Sequence, residues 1–200
     1  MTVQVGVIDI GNGGNLSNIQ KAIDLSGGRS TIIESPDQLR SVDKLVIPGV
    51  GSFPEAIHSL HQRNLFEAIK DASSDKLVLG ICLGMQLFAH LGFEFKKTKG
   101  FNFIYSEVKK MECSAPVPHM GFNSIKMVAD SRLLKGLDGA SFYFMHSFEM
   151  VAYTQVVALT RYSEHEFVSA VERGNIFGVQ FHPEKSRDQG LQVFQNFLRL

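Results

Sequence analysis

The hydrophobic pattern of the first ninety residues alternates between short apolar runs and segments with helical spacing. The apolar runs predict buried strands at Val3–Ile10, Ser30–Glu34, Lys44–Ile47 and Leu77–Ile81. The helical spacing predicts helices from about Leu16 to Gly27, from Pro54 to about Ser73 and from about Leu83 to His90. This alternation is typical of an α/β protein with a mostly parallel sheet and helices on both faces.

After Gly92 the pattern changes to short strand-like runs separated by turn residues. These runs are Glu107–Met111, Ser124–Met127, Ser141–Met145, Val156–Tyr162, Phe167–Glu172 and Ile176–Phe181. They predict antiparallel strands in the C-terminal half, and Gln189–Leu200 has the spacing of a closing amphipathic helix. Because no internal repeat or linker interrupts the chain, we expect residues 1–200 to form one domain.

Composition narrows the classes of function. The 200 residues are 44% hydrophobic and 20% charged, and 20 basic side chains balance 20 acidic ones, which argues against nucleic-acid binding. No apolar stretch approaches the roughly 20 residues of a membrane span, and the N-terminus does not resemble a signal peptide. With only two cysteines a disulfide framework is not expected, and the cytoplasm is the predicted compartment.

One of these cysteines lies where a predicted strand meets a predicted helix. Gly80-Ile81-Cys82-Leu83-Gly84 has the spacing G-x-C-x-G, as in a nucleophile elbow, where small residues flank a reactive side chain. The helix N-terminus would favour the thiolate, and the Leu83 N–H would face a developing oxyanion. The alternative is a buried core cysteine, because cysteine packs like a small hydrophobe. The motif therefore needs a base elsewhere in the chain.

A histidine suited to this role comes near the end of the sequence, in GVQFHPEKS. Pro183 biases His182 toward an extended conformation, and residues two apart in an extended chain share a face. The Glu184 carboxylate would then hold the tautomer of His182 while the other ring nitrogen faces Cys82, as in Cys–His–acid sets. A structural turn is the alternative when this segment is taken alone.

The segment IPGVGSF, positions 47 to 53, ends another predicted strand with two glycines. Gly49 and Gly51 lack a Cβ, so the backbone can approach a ligand or adopt positive φ. We expect an N–H of this segment to be a second oxyanion donor. An ordinary glycine turn is the alternative, although strand ends along one edge of a parallel sheet are where binding sites form.

Five motifs follow one another in the chain: PGVGSF, GICLGMQ, PHMGFN, YFMHSF and GVQFHPEKS. Together they resemble the class I (triad) glutamine amidotransferases. PHMGFN and the start DIGNGGN make the chain similar, within this class, to the glutaminase subunits of imidazole glycerol phosphate synthases of histidine biosynthesis. The resemblance covers essentially the whole chain and implies a three-layer fold around a mostly parallel sheet.

The resemblance implies hydrolysis of glutamine to glutamate and ammonia through a cysteinyl thioester. Cys82 matches the nucleophile, His182 the general acid/base and Glu184 the orienting carboxylate. The glutamine pocket is implied to include Gly49, Gly51, Gln86, Glu94, Ser147 and Phe148. The backbone of Val50 and Leu83 is implied to form the oxyanion hole. A solvated helix position is the alternative for Gln86.

In this family the ammonia passes to a (β/α)8-barrel synthase, which makes imidazole glycerol phosphate and aminoimidazole carboxamide ribonucleotide. The sequence has no phosphate loop or dinucleotide fingerprint, so we expect the acceptor chemistry to lie on another chain. We also expect no cofactor and no metal site. The implied partner contacts are Pro118, His119, Met120, Gly121, Phe122, Asn123 and Lys185. Core packing is the alternative for Met120 and Phe122, and a solvated charge for Lys185.

The chain departs from the usual family pattern at several positions. The first loop, Asp9–Leu16, has one residue more, and Ser17-Asn18 stand where an arginine is common. Phe122 replaces a frequent tryptophan and Phe148 a frequent tyrosine. Several changes lie where partner contact is expected, so a paralogous subunit that supplies ammonia to a surface-polysaccharide sugar amidotransferase is an alternative. A stand-alone γ-glutamyl hydrolase and a non-enzymatic regulatory subunit are further alternatives, which PHMGFN and the intact triad disfavour.

Overall fold

The computed structural model of the protein describes residues 2–11, 15–151 and 154–200. The first half alternates strands with helices, in the order β1 (Gln4–Ile8), α1 (Leu16–Leu25), β2 (Arg29–Ile33), β3 (Lys44–Ile47), α2 (Phe53–Gln62), α3 (Leu65–Ala72), β4 (Leu77–Ile81) and α4 (Leu83–Gln86). A 3-10 helix over Pro36–Ser41 joins β2 to β3. The strands β1, β3 and β4 are buried almost throughout, which is why they read as continuous apolar runs.

The second half is mostly strands. They are β5 (Leu91–Gly92), β6 (Thr98–Lys99), β7 (Glu107–Lys110), β8 (His119–Ser124), β9 (Lys126–Met127), β10 (Ser141–His146), β11 (Phe148–Val151), β12 (Val156–Tyr162), β13 (His165–Arg173) and β14 (Ile176–Val179). A 3-10 turn over Pro183–Lys185 follows, and α5 (Arg187–Arg199) is the last helix described.

The largest sheet has eight strands in the spatial order β2-β1-β3-β4-β14-β13-β12-β9. The five from β2 to β14 run parallel, and β13, β12 and β9 continue the sheet with antiparallel pairing. The strand β14 joins the two parts, because it pairs in parallel with β4, with Gly178 opposite Gly80, and antiparallel with β13.

Helices cover both faces of this sheet. One buried cluster includes Ile57 and Leu60 of α2 and Ile69 of α3, and the other includes Ile23 of α1 and Phe194 of α5. The predicted α/β fold with a mostly parallel central sheet and antiparallel strands in the C-terminal half is therefore confirmed.

Two smaller sheets extend the C-terminal half. One is the antiparallel ribbon of β8 and β10, and the other has the order β11-β7-β5-β6. In the ribbon Met145 pairs with Met120 and His146 with His119. Side chains along β8 alternate between buried or half-buried and exposed, so this strand has an inner and an outer face.

Three sequence predictions need correction. The helix expected from Pro54 to Ser73 is two helices, because Asn64 adopts a left-handed conformation (φ 56°) between α2 and α3. The helix expected to reach His90 ends at Gln86. The strand expected at Ser124–Met127 is instead the end of β8 followed by the short β9.

Residues 12–14 of the first loop, where the chain departs from the family pattern, lie outside the described residues. Among the helices that are described, none combines the length and apolar character that a membrane crossing requires. In the same part of the chain, no group of three or more histidine, cysteine, aspartate or glutamate side chains is placed to hold a metal ion.

Candidate active site

Cys82 lies in the sharp turn between β4 and α4. Its backbone has φ 54° and ψ −110°, a conformation that is costly for any residue with a Cβ. The flanking glycines are required by packing, because a Cβ on Gly84 would lie 1.7 Å from the Ile47 carbonyl oxygen. A Cβ on Gly80 would lie 2.6 Å from the ring of Phe88. The G-x-C-x-G spacing is thus explained by the lack of space for a Cβ on either side of the elbow.

The pairing of β4 with β14 brings the predicted histidine beside this elbow. The Cys82 N–H donates to the Val179 carbonyl at 2.8 Å, and the chain runs on from there to His182. His182 is extended (φ −101°, ψ 94°), as Pro183 predicts, and the 3-10 turn then places Glu184 alongside it. The His182 Nδ1 and Glu184 Oε1 atoms are 2.9 Å apart.

The electrostatics of this pair favour an imidazolium. Both side chains are almost fully buried. Burial alone lowers the pKa of His182, but the negative charges of Cys82 and Glu184 outweigh it and raise the pKa to about 10. Nε2 of His182 is buried and makes no hydrogen bond within the described residues. The arrangement can therefore hold a thiolate next to a proton donor.

A cavity of about 260 Å³ opens beside the Cys82 sulfur. Its walls come from strand ends and from the segment between β10 and β11. They are Val50, Gly51, Cys82, Leu83, Gln86, Glu94, Pro118, Met145, His146, Ser147 and Phe148. Apart from Gly49, all residues predicted for the glutamine pocket and the oxyanion hole line this cavity.

Gly49 lies directly behind the cavity wall, and its predicted place in the glutamine pocket stays a prediction. Gly49 is buried and is not part of the cavity wall. A Cβ at this position would lie 2.8 Å from Ile10 and 3.0 Å from the side chain of Leu83, so glycine is needed for close packing behind the wall. Gly51, in contrast, lines the cavity in a left-handed conformation (φ 102°).

Leu83 is the first residue of α4, where a backbone N–H has no partner within the helix.

Comparison with known proteins agrees with this geometry. A family model described as "Glutamine amidotransferase class-I" matches residues 7–200. The chain belongs to the class I glutamine amidotransferases. It is 41% identical to the imidazole glycerol phosphate synthase subunit HisH 1 of Campylobacter jejuni strain RM1221, covering 94% of this chain and 96% of the relative.

A second relative and a solved structure extend the comparison. The subunit HisH of Yersinia pseudotuberculosis is also 41% identical, over 99% of this chain and 100% of the relative. A crystal structure of a glutamine amidotransferase superposes with a TM-score of 0.77 at 15% identity, over 98% of this chain and 99% of that one. At this identity the structure supports the amidotransferase fold alone.

Two polar side chains of the amidotransferase cavity are held by hydrogen bonds. Gln86 is buried, not solvated, and its Nε2 donates to the Phe148 carbonyl at 2.8 Å and to Gln180 Oε1 at 3.0 Å. Glu94 accepts the Phe53 N–H on Oε2 at 2.8 Å. Both residues thus face the cavity with fixed orientations.

One residue at this site was missed by the sequence analysis. Gln180 is completely buried, and its Nε2 lies 3.6 Å from the Cys82 sulfur. Gln180 and His182 are two apart along an extended segment, so both face the elbow. The sequence Gln180-Phe181-His182 could have identified it, because alternate residues of an extended segment point to the same side as the predicted base His182.

Five of the seven residues expected to contact a partner lie on β8 and divide between its two faces. Met120 and Phe122 are 58% and 48% exposed, which excludes core packing. The expectation for His119 is wrong, because this residue is 2% exposed and stacks on Tyr162, with ring centroids 4.0 Å apart. Pro118 lines the cavity, and Lys185 is half-buried with its Nζ 5.7 Å from the Tyr143 ring centroid.

The two remaining interface residues lie on the same side of β8 as His119. Gly121 is half-buried with a left-handed backbone (φ 137°). Asn123 is also half-buried, and its Nδ2 donates to the Arg161 carbonyl of β12 at 2.8 Å. The outer face of β8 thus presents Met120 and Phe122, while Asn123 fastens the strand to the central sheet.

A pair of buried histidines connects β8 to the cavity wall. His146 Nδ1 lies 2.9 Å from the Phe148 carbonyl and must donate to it, and His146 Nε2 lies 3.3 Å from His119 Nδ1. Burial lowers the pKa of His119 to about 4 and that of His146 to about 3, so both are neutral near pH 7. His119 therefore donates to His146, and the Phe148 carbonyl anchors a continuous chain of hydrogen bonds.

Proposed function

We propose that this amidotransferase is the glutaminase subunit of an imidazole glycerol phosphate synthase, with Cys82, His182 and Glu184 as its catalytic triad. The observation that carries the proposal is the buried His182–Glu184 pair, joined at 2.9 Å beside the strained Cys82 elbow. The Campylobacter and Yersinia relatives, which match over nearly their whole length, support the pathway.

The reaction begins when the Cys82 thiolate attacks the side-chain carbonyl carbon of glutamine. A C–S bond forms, and the carbonyl oxygen becomes an oxyanion. This oxyanion accepts hydrogen bonds from the backbone N–H groups of Leu83 and Val50. The C–N bond then breaks, and His182 gives its proton to the nitrogen, which leaves as ammonia. Water loses a proton to His182 and attacks the thioester, so that glutamate leaves and the thiolate is restored.

Glu184 orients the histidine throughout this cycle. Its Oε1 accepts the Nδ1–H of His182, which keeps Nε2 available for proton transfer and stabilises the imidazolium. The negative charge also contributes to the raised pKa of His182. Glu184 is therefore a positioning residue, which does not itself exchange protons with the substrate.

The cavity wall suggests how glutamine is held. An amide nitrogen carries two N–H groups, and both of those on Gln86 are already used, so Gln86 offers its Oε1 as an acceptor to the substrate. Glu94 uses Oε2 for the Phe53 N–H and offers Oε1 to the α-ammonium group. Backbone groups of Gly51, Ser147 and Phe148 complete the pocket.

The ammonia goes, on this proposal, to a (β/α)8-barrel synthase bound on the outer face of the β8–β10 ribbon. Met120 and Phe122 form its exposed apolar part, and Lys185 lies near Tyr143 at its edge. The His182 N–H donates to the Tyr143 carbonyl at 2.8 Å, so a partner on this ribbon would lie next to the segment that carries the general acid.

Two further parts of the proposal concern the chain as a whole. We take residues 1–200 to be one glutaminase domain, which β14 supports by joining the two halves of the central sheet. We take the compartment to be the cytoplasm, where the free thiols of Cys82 and Cys113 stay reduced.

A second candidate is a subunit that delivers ammonia to a surface-polysaccharide sugar amidotransferase. It is favoured by Phe122, which replaces a frequent tryptophan at an exposed position of the proposed docking face. Phe122 contacts Tyr143 edge-on and lies under the guanidinium of Arg187, 5.1 Å from the ring centroid. The two candidates share the glutaminase chemistry and differ only in the acceptor.

The test is purification of the partner from the native source, followed by synthesis assays with glutamine or ammonium salt. We expect a histidine-pathway barrel to copurify. We expect Cys82→Ala to abolish glutamine-dependent synthesis and to leave ammonia-dependent synthesis intact, because only the glutaminase step uses the thiolate.

Three outcomes would contradict parts of this proposal. Copurification of a sugar-modifying enzyme would favour the second candidate. Full turnover of glutamine by the isolated chain would indicate a stand-alone hydrolase. Glutamine-dependent synthesis by the Cys82→Ala variant would show that Cys82 is not the nucleophile.

A further inference from the structure

Gln180 is a completely buried amide that none of the roles described above uses. It follows β14 and lies between two groups of the candidate site, with Oε1 3.0 Å from Gln86 Nε2 and Nε2 3.6 Å from the Cys82 sulfur. Its backbone N–H donates to the Ser169 carbonyl of β13 at 2.9 Å, which fixes the main chain at this point. A buried amide of this kind is kept only where its hydrogen bonds are satisfied.

The orientation of the Gln180 amide follows from its neighbours. The Phe148 carbonyl can only accept, so Gln86 must present its NH2 group there, 2.8 Å away. The same NH2 group reaches Gln180, which must therefore present its oxygen to Gln86. The NH2 group of Gln180 is then left on the side of Cys82. The Phe148 carbonyl thus fixes the orientation of Gln86, and Gln86 in turn fixes the orientation of Gln180, so that the Gln180 NH2 group faces the sulfur.

We propose that Gln180 is a further catalytic residue, which donates a hydrogen bond from Nε2 to the Cys82 sulfur and so stabilises the thiolate. The proposal rests on the role of Cys82 as nucleophile given above. Gln180 contributes a fixed, uncharged donor on the side of β14, while His182 contributes the mobile proton. Hydrogen bonds to a charged acceptor are stronger than those between neutral groups, so the contact favours ionisation of the sulfur.

Other groups around the sulfur do not replace this donor. The Met145 carbonyl lies 3.8 Å from the sulfur and can only accept, so it interacts favourably with the thiol and not with the thiolate. The charged or titratable side chains near the sulfur are His182 and Glu184 after β14, His146 of β10 and Glu94 across the cavity. His146 is neutral near pH 7, and the two carboxylates oppose a second negative charge. Among these groups, only His182 and Gln180 favour the thiolate.

The experiment measures the alkylation rate of Cys82 by iodoacetamide as a function of pH, since only the thiolate reacts. It uses the full chain with Cys113→Ser, which removes the other thiol. Gln180→Met keeps the length but removes the donor. Gln180→Glu keeps the shape and the acceptor toward Gln86 but places oxygen at the sulfur. Ser169→Ala is the control, because it alters a buried side chain of the adjacent strand outside the site.

We expect both Gln180 variants to react about tenfold more slowly on the rising part of the pH profile, because less of the sulfur is ionised there, and we expect the midpoint to move upward. Gln180→Glu should show the larger change, because a carboxylate repels the thiolate. Ser169→Ala should keep the profile of the parent chain. A purely structural role for Gln180 would lower thermal stability and leave the midpoint in place, so unchanged midpoints in both variants overturn the proposal.

If the variants fail to fold, the intact chain provides a second measurement. The side-chain NH2 signals of Gln180 should shift with pH at the same midpoint as the alkylation of Cys82, and this shift should vanish in Cys82→Ala. Signals that do not respond to pH overturn the proposal. Neither measurement needs the partner or the acceptor, so their outcome is independent of whether the synthase assignment is correct.

Discussion

Cys82 has a strained backbone because the packing around it allows no other arrangement. A φ of 54° with ψ of −110° costs of order 1–3 kcal/mol, and it persists only where the neighbours over-determine it. Here the determinant is the close approach of α4 to β3, which needs a hydrogen atom at Gly84 beside the Ile47 carbonyl. The backbone conformation of the elbow therefore depends on the glycine at position 84 more than on the cysteine side chain at position 82.

Gly84→Ala tests this dependence. Because the added methyl group would meet the Ile47 carbonyl oxygen at 1.7 Å, we expect the free energy of unfolding to fall by about 3 kcal/mol or more. Gly27→Ala is the control, since a Cβ there meets nothing within 4 Å and only the left-handed strain of about 1–2 kcal/mol remains. Urea denaturation of both variants gives the comparison, and equal losses would contradict the packing argument.

The protonation of His182 is a second property at this scale. We expect its ring signals in NMR to titrate near pH 10, and the midpoint to fall in Cys82→Ala and in Glu184→Gln, which remove the charges that outweigh burial. Because the pKa is raised above its ordinary value of 6.5, the stability due to this proton is present below pH 6.5 and is lost as the pH rises through 10. A midpoint near 6.5 in the parent chain would show that the charges do not outweigh burial.

At the scale of elements, the strands β1, β3 and β4 could be predicted because each is buried almost throughout and is therefore mostly apolar in sequence. Lys44–Ile47 and Leu77–Ile81 have the predicted bounds. The break between α2 and α3 could not be predicted, because the apolar spacing continues across Asn64 and only its left-handed backbone ends the helix. The proposed triad was predicted from local motifs, and the alternation of Gln180 with His182 is also local. The orientation of the Gln180 amide has no local pattern, because it depends on Gln86 and Phe148 in distant segments.

The two faces of β8 give a prediction about neighbouring residues. His119→Ala should lower the free energy of unfolding by about 2–4 kcal/mol, because it removes a buried ring that stacks on Phe144 and Tyr162. Phe122→Ala, on the exposed face, should change it by less than about 1 kcal/mol. Thermal or urea unfolding of the isolated chain checks both, and a larger loss for Phe122→Ala would place the core on the other face.

At the scale of the whole molecule, the central sheet brings three distant segments together at the candidate site. The strands β3, β4 and β14 are neighbours, so the ends that follow them meet at one edge, as expected for a parallel sheet. The antiparallel half contributes the opposite wall with Met145, Ser147 and Phe148. A ligand bound in this cavity therefore contacts both halves of the fold and should stabilise all of it.

On the proposed function, glutamine should accordingly raise the melting temperature of Cys82→Ala, a variant that we expect to bind the substrate without consuming it. At a concentration of 100 times Kd the stabilisation is about 2.7 kcal/mol, which corresponds to roughly 5–11 °C for a chain of this size. L-asparagine, one methylene shorter, should give a smaller shift. Equal shifts with both amino acids, or none with glutamine, would argue against the cavity as the glutamine pocket.

The position of β14 has a consequence for the newly made chain. Cys82 and its elbow leave the ribosome about a hundred residues before His182, and the pairing of β4 with β14 brings the two together only when β14 enters the sheet between β4 and β13. Until that strand is inserted the cysteine has no base and no Gln180 beside it. The same strand thus completes the central sheet and the proposed triad, so on the proposed mechanism a chain that lacks β14 does not release ammonia.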